Sequence, residues 1–177
     1  KKDPDNEQAK SERIWNRAEA DEIVGRCDGK TGIVEETKKP RKQAAPQLYD
    51  LTTLQRETGY SARRTLQIAQ ALYERHKLLT YPRTDSRCLP EDYISTVKEH
   101  LETFKKAGSN SVLAREIVDG AGKVLANDWV KPSKRIFNNA KISDHFAIVP
   151  TGKLPTAALR DDERRVFDMV TRRLVAI

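Results

Sequence analysis

The sequence predicts a mainly α-helical protein with a small β component. Apolar residues recur at helical spacing in six stretches of the 177-residue chain, and most of these stretches open on a capping residue, an acidic residue or a proline. Short runs that favour extended backbone lie between some of them. The predicted helices span residues 11–27, 52–58, 62–74, 90–106, 112–126 and 161–177.

The first predicted helix begins at Ser11, which is a suitable N-cap, and ends near Cys27, where Gly25 and Gly29 flank its end. Trp15 widens its apolar face and is expected to pack there rather than to stack on a base. The apolar stripe of this helix contains Ile14, Ala18, Ile23 and Val24.

The run Gly25-Arg26-Cys27-Asp28-Gly29-Lys30-Thr31 nearly matches a phosphate-binding loop, but it has one residue too few between its glycines. A P-loop also requires a following helix whose N-terminal amides face phosphate. Residues 32–37 favour a strand instead. We therefore predict a turn that leads into a strand, and no nucleotide site.

A basic, proline-containing connector at residues 38–46 separates two parts of the chain. Such a run is usually a solvated linker, and it can also follow a DNA backbone. We predict a flanking helix and strand with this linker at residues 1–46, and the main helical domain at residues 47–177.

The composition favours a polyanionic partner. Lysine and arginine number 33 against 26 aspartate and glutamate residues, which gives a net charge of +7. No apolar run approaches the roughly 20 residues that span a bilayer, and the first residues lack the apolar core of a signal peptide. Cys27 and Cys88 match no metal-binding spacing, so reduced thiols in the cytoplasm are expected.

Two short helices separated by the turn Gly59-Tyr60-Ser61, followed by a basic extended stretch, indicate a winged helix-turn-helix. Ser61 caps the second of these helices. Residues 60–87 hold six lysine or arginine residues against two acidic ones, which makes this region the most concentrated candidate for nucleic-acid contact. The basic residues are Arg63, Arg64, Arg75, Lys77, Arg83 and Arg87.

The rest of the main domain predicts three further helical regions. Pro90 starts a helix that continues to about Lys106. Residues 112–126 predict one or two short helices interrupted at Gly120-Ala121-Gly122, and residues 127–139 are mostly irregular. Acidic residues open the last helix, whose predicted core stripe is Val166, Val170, Leu174 and Ile177.

Tyr81, Pro82 and Arg83 form the stretch with the clearest chemical potential. A phenol is a weak nucleophile at neutral pH, because its unperturbed pKa is about 10, and a nearby guanidinium favours the phenolate and binds phosphate. Residues two apart in an extended segment face the same side, so Tyr81 and Arg83 are able to meet one phosphate. The residues alone favour a half-buried tyrosine at a strand end with arginines on a solvated turn, because the local pattern is short.

Three stretches of the chain resemble motifs of the type IA DNA topoisomerases, in the expected order. Tyr81-Pro82-Arg83-Thr84-Asp85-Ser86-Arg87 resembles the active-site tyrosine motif, particularly that of the topoisomerase III branch. Upstream, residues 48–57 and 69–74 are similar to the helices that precede this tyrosine. Downstream, residues 143–151 are similar to the family's histidine motif, which ends in Ala-Ile-x-Pro-Thr. The resemblance runs from about residue 9 to the C-terminus.

The resemblance implies covalent chemistry on single-stranded DNA without ATP. Tyr81 would attack a phosphodiester and form a 5′-phosphotyrosine link, Arg83 would neutralise phosphate oxygens, and His145 would hydrogen-bond a phosphate. Further residues expected to contact DNA are Thr84, Ser86, Arg87, Arg63, Arg64 and Lys77.

The resemblance also implies a Mg²⁺ cofactor that a separate acidic domain would hold. Asp3-Pro4-Asp5-Asn6-Glu7 has the acidic spacing of that site, but only two lysines precede it, so we interpret it as a solvated turn. We expect no metal ligand in this chain. The expected protein is a central fragment of a monomeric bacterial enzyme, associated with the nucleoid and inactive without its remaining domains.

Two other functions remain open from the sequence. The helix-turn-helix pattern alone supports a winged-helix module that binds DNA without chemistry. Sequence preference on duplex DNA would favour that module. The basic charge is also compatible with a structural or partner-binding piece, which would show no salt-dependent DNA binding.

Overall fold

The computed structural model describes residues 14–40, 44–107, 113–156 and 158–177. The chain divides into two units, Lys1–Lys42 and Gln43–Ile177. The first contains helix α1 (Arg17–Cys27). The second contains α2 (Leu51–Thr58), α3 (Ala62–Glu74), α4 (Ile94–Lys106), α5 (Arg115–Ala126) and α6 (Asp161–Val175), with single 3₁₀ turns at Glu91–Tyr93 and Asn139–Lys141.

The mainly helical prediction is confirmed, but the winged helix is not. Strand pairing among the described residues is limited to three isolated bridges. These join Tyr49 to Ile148 and Leu79 to Pro150 in antiparallel fashion, and Leu89 to Phe137 in parallel. Because these bridges do not extend into a sheet, the described part of the chain has no hairpin wing beside α3.

Helix α1 begins later than predicted and buries no residue. Asn16 is its N-cap, since its side chain accepts a hydrogen bond from the Ala18 amide at 2.9 Å. Ser11, the predicted cap, lies outside the described residues. The expected packing of Trp15 is not seen within this unit, where its side chain is 74% exposed.

The strand predicted at residues 32–37 is wrong. These residues form no bridge within the described structure, and Ile33 and Val34 are 99% and 88% exposed. A β-strand requires a neighbouring strand for its backbone groups. Local β propensity alone therefore produces no strand here.

Helices α2 and α3 form as predicted around the turn at Gly59. Asp50 caps α2 by accepting from the Thr53 amide at 2.6 Å, and Gly59 ends it with a φ of 75°. Ser61 caps α3 by accepting from the Arg64 amide at 3.2 Å. Helix α3 buries one face against the core, formed by Thr65, Ile68, Ala69 and Leu72.

The predicted interruption of α5 is wrong, because the helix continues through both of its glycines. A Cβ atom at Gly120 would lie 2.8 Å from Cγ1 of Val175 in α6. Gly120 therefore allows close approach of two helices rather than a break in one. Its helical cost of about 1 kcal/mol relative to alanine is offset by that packing.

Helix α6 buries three residues of its predicted stripe, and its one fully buried carboxylate pairs with an arginine at the end of α3. Val166, Val170 and Leu174 are at most 1% exposed, whereas Ile177 is only partly buried. Glu163 is also 1% exposed and pairs with Arg75, the C-cap of α3, at 2.5 Å and with Arg160 at 3.0 Å. Burial alone would raise the pKa of Glu163, but the hydrogen bonds and charge of its partners lower it.

Candidate active site

The tyrosine segment, defined here as residues 78–88, has no regular secondary structure but is fixed at both ends. At its start, the Leu78 amide donates to the carbonyl of Leu72, the residue two before the end of α3, at 2.8 Å. Near its end, the Cys88 carbonyl accepts from the Ala147 amide at 3.0 Å. The segment therefore lies between α3 and the chain that carries the histidine motif.

Thr80, the residue before Tyr81, is hydrogen-bonded to the histidine motif. Its amide donates to the Val149 carbonyl at 2.9 Å. Its hydroxyl donates to the Ala147 carbonyl at 3.0 Å and accepts from the Val149 amide at 2.9 Å. One short side chain thus satisfies two backbone groups of a neighbouring segment, and the backbone at Tyr81 is held in place.

Burial alternates from Tyr81 to Cys88 within the tyrosine segment. Pro82, Thr84, Ser86 and Cys88 are buried, while Tyr81 and Arg87 are half-buried and Arg83 and Asp85 are exposed. This period of two is typical of extended backbone. Tyr81 and Arg83 therefore lie on the same, outward side of the segment.

The alternation gives Thr84 and Ser86 a different environment from the one predicted for them. The Thr84 hydroxyl donates to the His145 carbonyl at 2.8 Å, and the Ser86 hydroxyl donates to the Lys141 carbonyl at 2.8 Å. Thr84 is 7% exposed and Ser86 is 4% exposed, so their hydroxyls support the site from the interior of the protein. The same period that places Arg83 outward predicts their inward position.

A cluster of rings surrounds Tyr81. The His145 ring lies against the Tyr81 ring with centroids 4.3 Å apart, and Tyr73 packs edge-on against Tyr81 at 5.4 Å. The Lys77 ammonium lies 5.7 Å from the centroid of the Tyr73 ring. The structure thus brings together Tyr81 and His145, which are 64 residues apart in the sequence, and adds Tyr73 as a contact that the sequence did not assign to the site.

Arg87 is held by Asp50, a residue that sequence reasoning missed. Arg87 Nε lies 2.8 Å from Asp50 Oδ2, and the other carboxylate oxygen caps α2. Burial alone would raise the pKa of Asp50, but hydrogen bonds from Thr53 and the pairing with Arg87 lower it. The Leu51 amide also donates to the Thr84 carbonyl at 3.0 Å. All three motifs therefore meet at one place.

The predicted contacts at the start of α3 are not part of this ring cluster. Arg63 is exposed, and Arg64 is ion-paired with Asp162 of α6. Arg63 and Tyr73 are ten positions apart in the helix, which corresponds to about 15 Å along the axis. Any DNA contact made by these arginines is therefore distant from the Tyr81 ring.

The described residues do not fit a magnesium site. Among them no group of three or more histidine, cysteine, aspartate or glutamate side chains is placed to hold a metal ion. The acidic run at residues 3–7 lies outside the described part of the chain. No chemical step is therefore assigned to a metal on these residues.

Within the described ranges, none of the helices combines the length and apolar character needed to cross a bilayer.

Comparisons with known proteins agree with the three-motif arrangement. A family model described as DNA topoisomerase matches residues 1–177. DNA topoisomerase 3 of Bacillus cereus is 43% identical over 171 residues, and that of Bacillus licheniformis is 40% identical over the same length; each match covers 93% of this chain and 22% of the relative. DNA topoisomerase 3 of Bacillus subtilis is 37% identical over 178 residues, with coverage of 97% and 23%.

The chain thus spans less than a quarter of the length of these relatives. The family match extends over every element described above, and the motifs converge around Tyr81. This chain belongs to the DNA topoisomerase family and corresponds to a fragment of a type IA, topoisomerase III-like enzyme.

Proposed function

We propose that this chain carries the tyrosine with which a type IA DNA topoisomerase cleaves and rejoins single-stranded DNA. The observation that carries the proposal is the contact of the Tyr81 and His145 rings, at 4.3 Å, on a backbone segment fixed by Thr80. The names of the relatives, DNA topoisomerase 3, support DNA as the substrate.

In the proposed reaction the Tyr81 phenol oxygen forms a bond to phosphorus, and the bond from phosphorus to the 3′-oxygen breaks. The phenol gives its proton to solvent, the departing 3′-oxygen takes one up from solvent, and the strand that carries the 5′-phosphate stays on the enzyme. The reverse reaction restores the strand. Since the energy of the broken ester is kept in the phosphotyrosine bond, no ATP is required.

Two side chains beside Tyr81 are assigned to the phosphate. Arg83 is exposed on the same side as Tyr81, and a guanidinium there binds phosphate oxygens with paired donors and offsets charge as it develops. His145 is exposed and in ring contact with Tyr81, so its imidazole is placed to hydrogen-bond the same or an adjacent phosphate.

The buried side of the segment contributes by holding this geometry. Thr80, Thr84 and Ser86 use their hydroxyls on backbone carbonyls. A nucleophile that is already oriented avoids part of the entropic cost of reaching the transition state. Thr84 and Ser86 therefore act as positioning residues and do not touch DNA.

The remaining components come from outside the described residues. Mg²⁺ would be supplied by another domain of the same enzyme, and this chain alone is expected to form no adduct. The enzyme acts on DNA in the bacterial cytoplasm as a monomer, and its other partners are its own further domains.

Covalent trapping tests the proposal. A single-stranded oligonucleotide labelled at its 3′ end is incubated with the chain and Mg²⁺, with and without the acidic domain of a close relative, and is then denatured and separated on a gel. A labelled protein band that requires the added domain and disappears in Tyr81→Phe supports the nucleophile. Tyr60→Phe, which alters another half-buried tyrosine, is the matched control and should keep the band.

Absence of the band from an assembled complex that binds DNA would refute the assignment of Tyr81 as the nucleophile. A band that persists in Tyr81→Phe would assign the nucleophile to another residue.

A further inference from the structure

A second surface feature, separate from the ring cluster, lies where α5 ends. Trp129 is 59% exposed there and lines a cavity of about 260 Å³. Apolar side chains form much of its wall, and Arg135 and Lys131 border it. The remaining apolar lining includes Ala45, Val130, Ile136, Phe137 and Ile177. Together the exposed indole, the apolar cavity and its basic border form the kind of surface patch that marks a binding site.

The backbone presents Trp129 in a fixed position. Asp128 has a φ of 47°, in the left-handed region. Its amide donates to the Leu125 carbonyl at 3.1 Å, and the Trp129 amide donates to the Val124 carbonyl at 3.0 Å. These two bonds form a Schellman motif, which ends α5 and directs the chain away from it.

Charge pairing stabilises this helix end. The Asp128 carboxylate pairs with Lys98 of α4 at 2.8 Å and with Lys131. Hydrogen bonds from Lys131 and Lys98, and the positive charge of both, lower the pKa of Asp128 to about 2. Aspartate tolerates the left-handed region better than most residues, so Trp129 follows a turn that is held from two sides.

The surroundings of Trp129 are basic. Residues 129–141 include four lysine or arginine residues and no aspartate or glutamate. Lys131 pairs with Asp128, and Lys134 pairs with Glu91 at 2.6 Å. The side chains of Arg135 and Lys141 are exposed and have no acidic partner among the described residues. The surface therefore offers uncompensated positive charge beside the indole.

This basic stretch is joined to the tyrosine segment by its backbone. The Leu89 amide donates to the Ile136 carbonyl at 2.7 Å, and Cys88 Sγ lies 3.7 Å from the Arg135 carbonyl oxygen. The seven residues from Tyr81 to Cys88 span at most about 25 Å. At the duplex spacing of about 3.4 Å per nucleotide in each strand, about seven nucleotides or fewer cover that distance.

We propose that Trp129 stacks on a base of a single strand of DNA whose neighbouring phosphate is bound by Arg135. Every base has a face that stacks on an aromatic ring, and a cation beside that ring holds the backbone. The cavity beside the indole gives the base a place to lie, and Lys141 continues the positive charge toward Ser86 of the tyrosine segment. The proposal rests on the proposed function, because it extends the contact of the same strand beyond Tyr81.

Tryptophan fluorescence tests this contact directly, because the chain has only two tryptophans. In a Trp15→Phe background the emission comes from Trp129 alone. Oligothymidylate should quench this emission, whereas a duplex of the same length, with its bases already stacked, should not. Binding is measured in parallel by the anisotropy of a labelled oligothymidylate.

The variants separate stacking from charge. Trp129→Ala should weaken the binding of oligothymidylate by between about fivefold and a hundredfold, whereas Trp129→Phe should retain most of the affinity because it keeps an aromatic face. Arg135→Ala should weaken binding and reduce the salt dependence by about one phosphate contact. Arg115→Ala, at an exposed position paired with Asp119 in α5, is the matched control and should change neither.

This inference would be overturned if oligothymidylate bound with normal anisotropy but neither quenched Trp129 emission nor lost affinity for Trp129→Ala. The proposed function would then remain intact. Failure of the chain to bind any single strand, with its helical circular dichroism preserved, would overturn this inference, whereas the proposed function is decided separately by covalent trapping in the assembled complex.

Discussion

Helix α1 is regular but exposed, whereas the tyrosine segment is irregular but partly buried. Helix α1 has 11 residues in regular helix, and none of them is buried. The tyrosine segment has no regular secondary structure, yet Leu78, Leu79 and Cys88 are at most 2% exposed. Burial in these two segments therefore follows their tertiary contacts and not the regularity of their backbone.

The stabilising interactions of α1 are local. Arg17 pairs with Asp21 at 3.6 Å and Arg26 with Glu22 at 3.9 Å, on side chains that are all at least 67% exposed. Exposed pairs of this spacing contribute about 0.3–0.5 kcal/mol each, and an isolated helix of this length is marginal in water. The tyrosine segment depends instead on contacts with residues about 60 to 70 positions away in the chain.

Gly152→Ala should produce the largest loss of stability. Gly152 has a φ of 77°, and a Cβ there would lie 2.3 Å from Cδ2 of His100. His100 is buried in α4, so it has little room to move. Backbone strain and overpacking together should cost about 2–5 kcal/mol, measured by urea denaturation of the chain.

Gly59→Ala is the control that isolates the cost of backbone strain from the cost of overpacking. Its φ is 75°, but the nearest atom to an added Cβ is the end of the Arg165 side chain at 3.9 Å. It should cost only about 1–2 kcal/mol. Equal losses in the two variants would show that packing against His100 does not hold the end of the histidine motif.

Thr80→Val should have an intermediate effect and should also impair adduct formation. Valine has nearly the same shape but leaves the Ala147 carbonyl and the Val149 amide without their side-chain partner. The expected loss is about 1–3 kcal/mol, with a weaker covalent band in the trapping assay.

Thr103→Val is the matched control for Thr80, since its hydroxyl bonds only to the Glu99 carbonyl of the same helix. It should change stability by less than about 0.5 kcal/mol. If Thr80→Val behaved in the same way, the role of Thr80 in fixing the tyrosine segment would be refuted.

Val24→Ala should have the smallest effect. Val24 is 63% exposed in α1, so its truncation should leave the urea midpoint of the chain within about 0.5 kcal/mol of the original stability. Val170→Ala makes the same chemical change at a position in α6 that is 0% exposed, and should cost about 2 kcal/mol. A large loss from Val24→Ala would show that α1 buries this side chain.

Local features allowed much of the fold to be predicted from sequence. Ser61 and Gly59 determine the boundaries of α3 and α2 through groups within three residues of them. Three of the four residues in the predicted stripe of α6 are buried, as helical spacing alone implies. Predictions failed where the deciding contact is distant: Gly120 meets Val175, 55 positions away, and this contact explains why α5 continues.

The candidate site was predictable in its members but not in all their positions. The resemblance supplied Tyr81, Arg83 and His145, and the structure places two of these in ring contact. Asp50 was missed as the partner of Arg87 because the pairing joins residues 37 positions apart. Thr84 and Ser86, by contrast, were predictable as inward residues from the spacing already used for Tyr81 and Arg83.

The alternation of the tyrosine segment also limits how its length can vary. Inserting or deleting one residue between Tyr81 and Cys88 would move the bracing hydroxyls of Thr84 and Ser86 to the solvent side and turn charged side chains into the interior. A change of two residues would preserve the inward and outward order but shift each hydroxyl away from its carbonyl by about 7 Å. Protein engineers should therefore find this segment more tolerant of substitution at Asp85 than of any change in its length.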